Sequence, residues 1–182
     1  MKDYFRLLPD QARKHLLELA ARVTDVVPID TRSLHVQTRQ LNPEIEQRAL
    51  LDKVSTQTCR DHLYLYYFQV VNNPDLAEVE RSFLNAKERE KNQRAYPRFN
   101  RQSEFLYVGS SFSISQRFKE HLGYGSKKTY SIQLAHWACN LNLDLDFVYA
   151  KYSEDIAHDV IQVIEDTLWD ILSPMFGRRG ER

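Results

Sequence analysis

The chain has 182 residues, is 42% hydrophobic, and balances 25 Lys plus Arg against 25 Asp plus Glu. That length and apolar content supply one core with an appendage and leave two independent domains cramped. Zero net charge excludes whole-molecule attraction to a polyanion or an acidic membrane, so any nucleic-acid contact must come from a local patch.

The opening "MKDYFRLLPDQARKHLLELAARV" has an early acid and repeated charges instead of a secretory apolar run, and no stretch reaches the length of a membrane span. A cytoplasmic protein with no membrane contact is the expectation. From residue 10 to about residue 25, Leu16, Leu17, Ala20 and Val23 recur at helical spacing behind Pro9, with Asp10 as an N-cap. "RSLHVQT" alternates as a short strand does. Asn42-Pro43 then opens a helix over 43–54, with proline in its first turn and acids beside it. Cys59, and Cys139 further on, belong to no short metal-binding pair and read as reduced, partly buried thiols.

"HLYLYYFQVV" (62–71) is aromatic and β-branched and ends in Asn72-Asn73-Pro74, the pattern of a strand and turn. Its alternation puts Tyr64 and Tyr66 on one face and Tyr67 on the other. An amphipathic helix follows and passes into a basic tract holding Lys87, Arg89, Lys91, Arg94, Arg98 and Arg101, opposed only by Glu88 and Glu90. A strand at 104–109 leads through a small-residue turn at Gly109-Ser110-Ser111 into a helix with the stripe Ile114, Phe118 and Leu122. Backbone N–H groups at such a turn suit an anion. "KKTYSIQLAHWAC", with Tyr130, Leu134 and Trp137, predicts a further helix, and 145–151 a strand. A last helix carries Ile156, Val160, Ile164, Leu168 and Ile171 up to Ser173-Pro174. The sum is an α+β fold.

Folding does not require Arg117 and His121, one turn apart behind Tyr107, nor Glu165 beside an apolar stripe. A carboxylate there costs several kcal/mol unless a cation or several donors meet it. Each has an ordinary alternative: a boundary glutamate that reaches solvent, and polar decoration of a solvated helix face.

These features, in order, resemble the GIY-YIG nuclease family, which includes homing endonucleases, restriction enzymes and the incision subunit of bacterial excision repair. "YVGSSFSISQRFKEH" is similar to its second signature, with Tyr107, Gly109, Arg117 and His121 in register. "VIEDTLWDILSPMFG" is similar to its glutamate-bearing helix, with Glu165 in place. "HLY" or "YLY" stands for the first signature, so its tyrosine is Tyr64 or Tyr66. Gly177 falls where the family carries an asparagine. The resemblance implies a small, mostly antiparallel sheet flanked by helices over residues 59–177, with a basic insertion at about 75–103. Residues 1–58 are then a helical extension and 178–182 a tail.

It further implies a metal-dependent endonuclease, with DNA favoured over RNA. Glu165 would hold Mg²⁺ or Mn²⁺, and Arg117 would face the scissile phosphate. Tyr64 or Tyr66 would serve the attacking water, and Tyr107 and His121 would complete the hydrogen-bond set, His121 relaying a proton. Arg89, Lys91 and Arg94, with Lys127 and Lys128 flanked by Tyr124 and Tyr130, are candidates to track the nucleic-acid backbone. A non-catalytic nucleic-acid binder of the same fold and a protein-interaction module are the alternatives, and homodimerisation through the N-terminal helices is compatible with the pattern.

Overall fold

Aromatic and β-branched residues dominate Leu63–Val70 (β2), which is buried on both faces over most of its length and therefore sits inside a sheet. The structure, a computed structural model, describes residues 4–59 and 62–180. β2 pairs with Asp144–Tyr152 (β4) and Phe105–Ser111 (β3), and β4 pairs with Asp30–Gln37 (β1). All three pairings are antiparallel, in the order β1-β4-β2-β3. One sheet strand thus comes from the segment assigned to the N-terminal extension, and β3 is an edge.

On one face Tyr64, Tyr66, Phe68 and Val70 of β2 join Leu145, Phe147 and Tyr149 of β4 in the main core. Two helices cover it: Leu76–Arg89 (α3), capped by the Asp75 carboxylate accepting from Ala77 N–H, and Ile114–Leu122 (α4). Phe147 lies 4.7 Å from Phe68 and 4.6 Å from Phe118, centroid to centroid. Phe83 of α3 stacks at 3.9 Å on Phe176, which tethers α3 to the C-terminal segment. Leu63, Leu65 and Tyr152 on the opposite face meet Ile161 of His158–Leu172 (α5). An apolar groove of about 410 Å³ runs along that face between Tyr67, Val148 and Leu168. Among the described residues no helix is long and apolar enough to cross a membrane.

Several elements depart from the sequence pattern. The first helix, Tyr4–Thr24 (α1), begins before Asp10 and contains Pro9. It buries Leu19 while Leu16 and Leu17 face water, because it meets the body on one side only, clamped by Arg22 donating to both oxygens of Asp159 on α5. The second helix runs only over Arg48–Ser55 (α2). The Asn42 side chain accepts from Glu44 N–H at 2.8 Å and Asn42 bridges Ile45, a local turn that outcompetes helix at Pro43.

Gly109, Ser110 and Ser111 form no turn; they pair in β3 with Tyr66, Leu65 and Tyr64, so their N–H groups are not an anion nest. The segment around Tyr130 and Trp137 is no α-helix but two short 3₁₀ turns, Leu134–His136 and Cys139–Leu141. Left-handed Gln133 interrupts it, and Trp137 Nε1 donates to Ile132 O at 2.6 Å. Cys59 is exposed, not partly buried, and Ile171 lies outside the buried stripe of α5. Glu181 and Arg182 of the tail lie outside the described residues.

Because Phe83 is fully buried and holds α3 against Phe176, Phe83→Ala is expected to cost about 3–5 kcal/mol in denaturant-induced unfolding.

Candidate active site

The sheet face under α4 gathers four of the expected residues. His121 is fully buried, and its Nδ1 accepts from Ile132 N–H at 3.3 Å, so the ring proton sits on Nε2. That Nε2–H meets Tyr66 Oη at 2.9 Å. Burial holds His121 well below the ordinary histidine range, and Arg117 lowers it further, so the ring is neutral. Tyr66 Oη also accepts from Arg117 Nε at 3.3 Å. Burial pushes the Tyr66 phenol well above the ordinary tyrosine value, with Arg117 pulling only part of the way back. Tyr66 and His121 are thus both neutral and hydrogen-bonded to each other inside the cluster.

Tyr107 stacks on Tyr66 at 6.2 Å and, unlike Tyr66, lines a cavity. Gly109 makes this possible: a Cβ there would lie 2.9 Å from Tyr66 Oη and 3.0 Å from Tyr107 Cε1. Gly177, at φ +107°, abuts the other side of the Tyr107 ring, a backbone conformation and a close approach that both favour glycine. The Asn100 side chain donates to Gly177 O at 3.1 Å.

Arg117 spreads its fork over four acceptors: Tyr66 Oη, Tyr107 Oη at 3.5 Å, Tyr130 O at 3.3 Å and Glu120 Oε2 at 2.7 Å. Burial works against its charge, but these partners more than offset it and its pKa is raised. Tyr64 does not join the cluster. It shares the face of Tyr66, yet its hydroxyl accepts from Cys59 N–H at 3.1 Å and its ring packs on Tyr149.

Glu165 approaches from α5 on the other face of β3, where Ser110, the cross-strand neighbour of Leu65, donates to its Oε2 at 2.5 Å. Because β3 is the sheet edge, the two faces meet around it. Glu165 and Tyr107 line one cleft of about 490 Å³ with Lys87, Arg98, Tyr130 and Arg178. Glu165 is close enough to Tyr66 and Tyr107 to raise both, and Arg117 in turn lowers Glu165. Burial is the larger effect on Glu165 and holds its carboxyl above the ordinary range, with the Ser110 hydrogen bond opposing it.

The predicted backbone contacts are elsewhere. Arg94 is buried against Glu90 and Gln133. Arg89 binds Glu90 and His136 O, Lys91 pairs with Glu88, and none of these, nor Lys127 or Lys128, lines the cleft. Ser110 and Glu120 escaped the sequence reading. Strand alternation from Tyr107 and the i,i+3 spacing from Arg117 are the signals that mark them.

Gly109→Ala is expected to destabilise the fold by about 1–3 kcal/mol, and Tyr66→Phe, which removes the closest atom, to recover part of that in a double-mutant cycle; additive losses would deny the contact. Since folding raises the Glu165 pKa, its penalty is full above the raised value and disappears as the pH falls through it toward the unfolded value. Glu165→Gln should therefore raise the melting temperature at neutral pH, with the gain vanishing on acidification. No family model, curated protein or solved structure compared with the chain matches it.

Proposed function

We propose that the protein is a phosphodiester hydrolase acting on nucleic acid, an endonuclease of the kind its motifs resemble. The observation that carries this reading is the shared cleft of Tyr107 and Glu165, backed by the Arg117–Tyr66–His121 cluster. DNA is favoured over RNA because the resemblance is to DNA-cutting enzymes.

A divalent cation fits the donor chemistry in one way. Glu165 Oε2 takes the Ser110 hydroxyl, Oε1 has no hydrogen bond to a described residue, and Tyr107 and Gln162 bring further oxygen atoms to the same cleft. Among the described residues no group of three or more His, Cys, Asp and Glu could hold a metal. Glu165 alone would carry Mg²⁺ or Mn²⁺, which keep water in the remaining positions. Such an ion supplies polarisation of the phosphate and stabilisation of the leaving oxygen.

The chain's own groups do the rest. Arg117 does not itself line the cleft but sits directly behind Tyr107 and Tyr130, which do, and from there its charge would offset charge growing on the phosphate. Tyr107 orients the attacking water from the cleft side, and Tyr66 and His121 fix Tyr107 and Arg117 in place. Lys87, Arg98 and Arg178 give the cleft the positive surface that a neutral chain lacks overall. One observation favours a binding-only module: the Arg117 charge is already matched by Glu120.

Plasmid and oligonucleotide incubated with Mg²⁺ or Mn²⁺ decide between the two. The wild type is expected to cut, Glu165→Gln to lose cutting, and Mn²⁺ to raise the melting temperature of the wild type but not of Glu165→Gln. Arg117→Lys keeps the charge for Glu120 but loses the fork, and should slow cleavage about a hundredfold or more while leaving oligonucleotide affinity within a few-fold. Intact substrate under every condition, with binding retained, would establish the binder instead.

A further inference from the structure

The cleft continues into a second groove of about 480 Å³, sharing Arg98, Gly177 and Arg178 with it and adding Arg101, Arg179 and Trp169. Its two sides are separate strips of chain fastened together. Phe99 and Phe176 form a β-bridge, Gly177 N–H donates to Arg98 O at 2.8 Å, and Asn100 N–H donates to Met175 O at 2.8 Å. The Asn100 side chain adds bonds to Pro174 O and Gly177 O. Two arginines therefore stand on each side of one groove, on a frame held by main-chain bonds.

Of these, Arg179 is matched by Asp170. Arg98 and Arg101 are exposed, and their guanidinium groups have no hydrogen-bond or ion-pair partner among the described residues. Trp169 forms part of the wall, and its indole N–H is a donor for which the described residues offer no acceptor. In a chain of zero net charge, the two exposed guanidinium groups of Arg98 and Arg101, beside an Arg179 that faces Asp166 and Asp170, give this groove local positive charge for a polyanion.

We infer that the nucleic-acid strand leaves the cleft through this groove, its successive phosphates held between the 98–101 and 177–179 strips. The arginine fork matches phosphate geometry, and contacts of this kind position the backbone without reading sequence. The inference rests on the proposed nuclease reading for the identity of its ligand. It replaces the expected Arg89, Lys91 and Arg94 track with a different one, and gives the 177–179 strip a role in substrate binding.

The test measures binding of labelled single-stranded and duplex oligonucleotides across about 50–200 mM salt, in the Glu165→Gln background without divalent ion. Arg98→Ala/Arg101→Ala should weaken binding and lower the slope of log affinity against log salt by roughly 0.7–0.9 for each phosphate that is no longer neutralised. Arg98→Lys/Arg101→Lys should retain most of the slope, and Arg89→Ala/Lys91→Ala should leave it unchanged. Unaltered binding of both probes by the double alanine variant, or weakening confined to Arg89→Ala/Lys91→Ala, would overturn the inference. Cleavage by the wild type is scored separately, so a groove that fails beside an active enzyme is distinguished from a groove that binds beside an inactive one.

Discussion

A buried guanidinium is the constraint on which this molecule is organised. Arg117 lies mostly out of water, where an unmatched charge would cost several kcal/mol, and removing one member of a buried pair typically costs about 3–5 kcal/mol. The fold answers with Glu120 one turn along α4, two tyrosine hydroxyls from neighbouring strands, and the carbonyl of Tyr130. The loop after α4 is irregular for the same reason. Its Tyr130 O must reach Arg117, Ser131 Oγ bonds Glu120 O, and Ile132 N–H must reach His121, and no helix presents all three inward. A helix through Tyr130 would forfeit these bonds.

The second constraint is the sheet edge. With β3 outermost, a carboxylate from the helix on one face and a tyrosine from the other share a single cleft without a strand between them. Gly109 keeps the rings of Tyr66 and Tyr107 close to the backbone at that edge. Glu165 is held there against its own solvation, at a cost to folding that a structural glutamate would avoid by turning to water. Residues placed so as to weaken the fold are the ones for which a functional explanation is most needed.

Most of the scaffold was legible in the sequence, since β2 is an aromatic and β-branched run, β4 alternates, α5 keeps a helical stripe over most of its length, and Arg117 and His121 are one turn apart on α4. Long-range geometry was not. Tyr64 and Tyr66 are equivalent by alternation, and only the position of Cys59 and α4 decides that Tyr66 meets Arg117 while Tyr64 turns away. The basic tract was legible as a list of charges but not as a surface: Arg89 and Arg94 meet Lys127 along one groove that is separate from the cleft. Arg94 is consumed by Glu90 and Gln133, while Arg98 joins Arg178 across a bridge between distant segments. Leu16 and Leu17 misled likewise, as helical spacing names a stripe but not whether a neighbour exists to cover it.

Glu165 and Arg117 are proposed to serve one phosphate around one divalent ion, and anomalous diffraction from crystals grown with Mn²⁺ and a non-cleavable oligonucleotide addresses this directly. The expected result is an ion peak at about 2.1 Å from a Glu165 oxygen, the distance of an octahedral oxygen ligand, with a backbone phosphate bridging it to the Arg117 side of the cleft. Metal bound away from Glu165, or an oligonucleotide lying on the opposite face of the molecule, would contradict it.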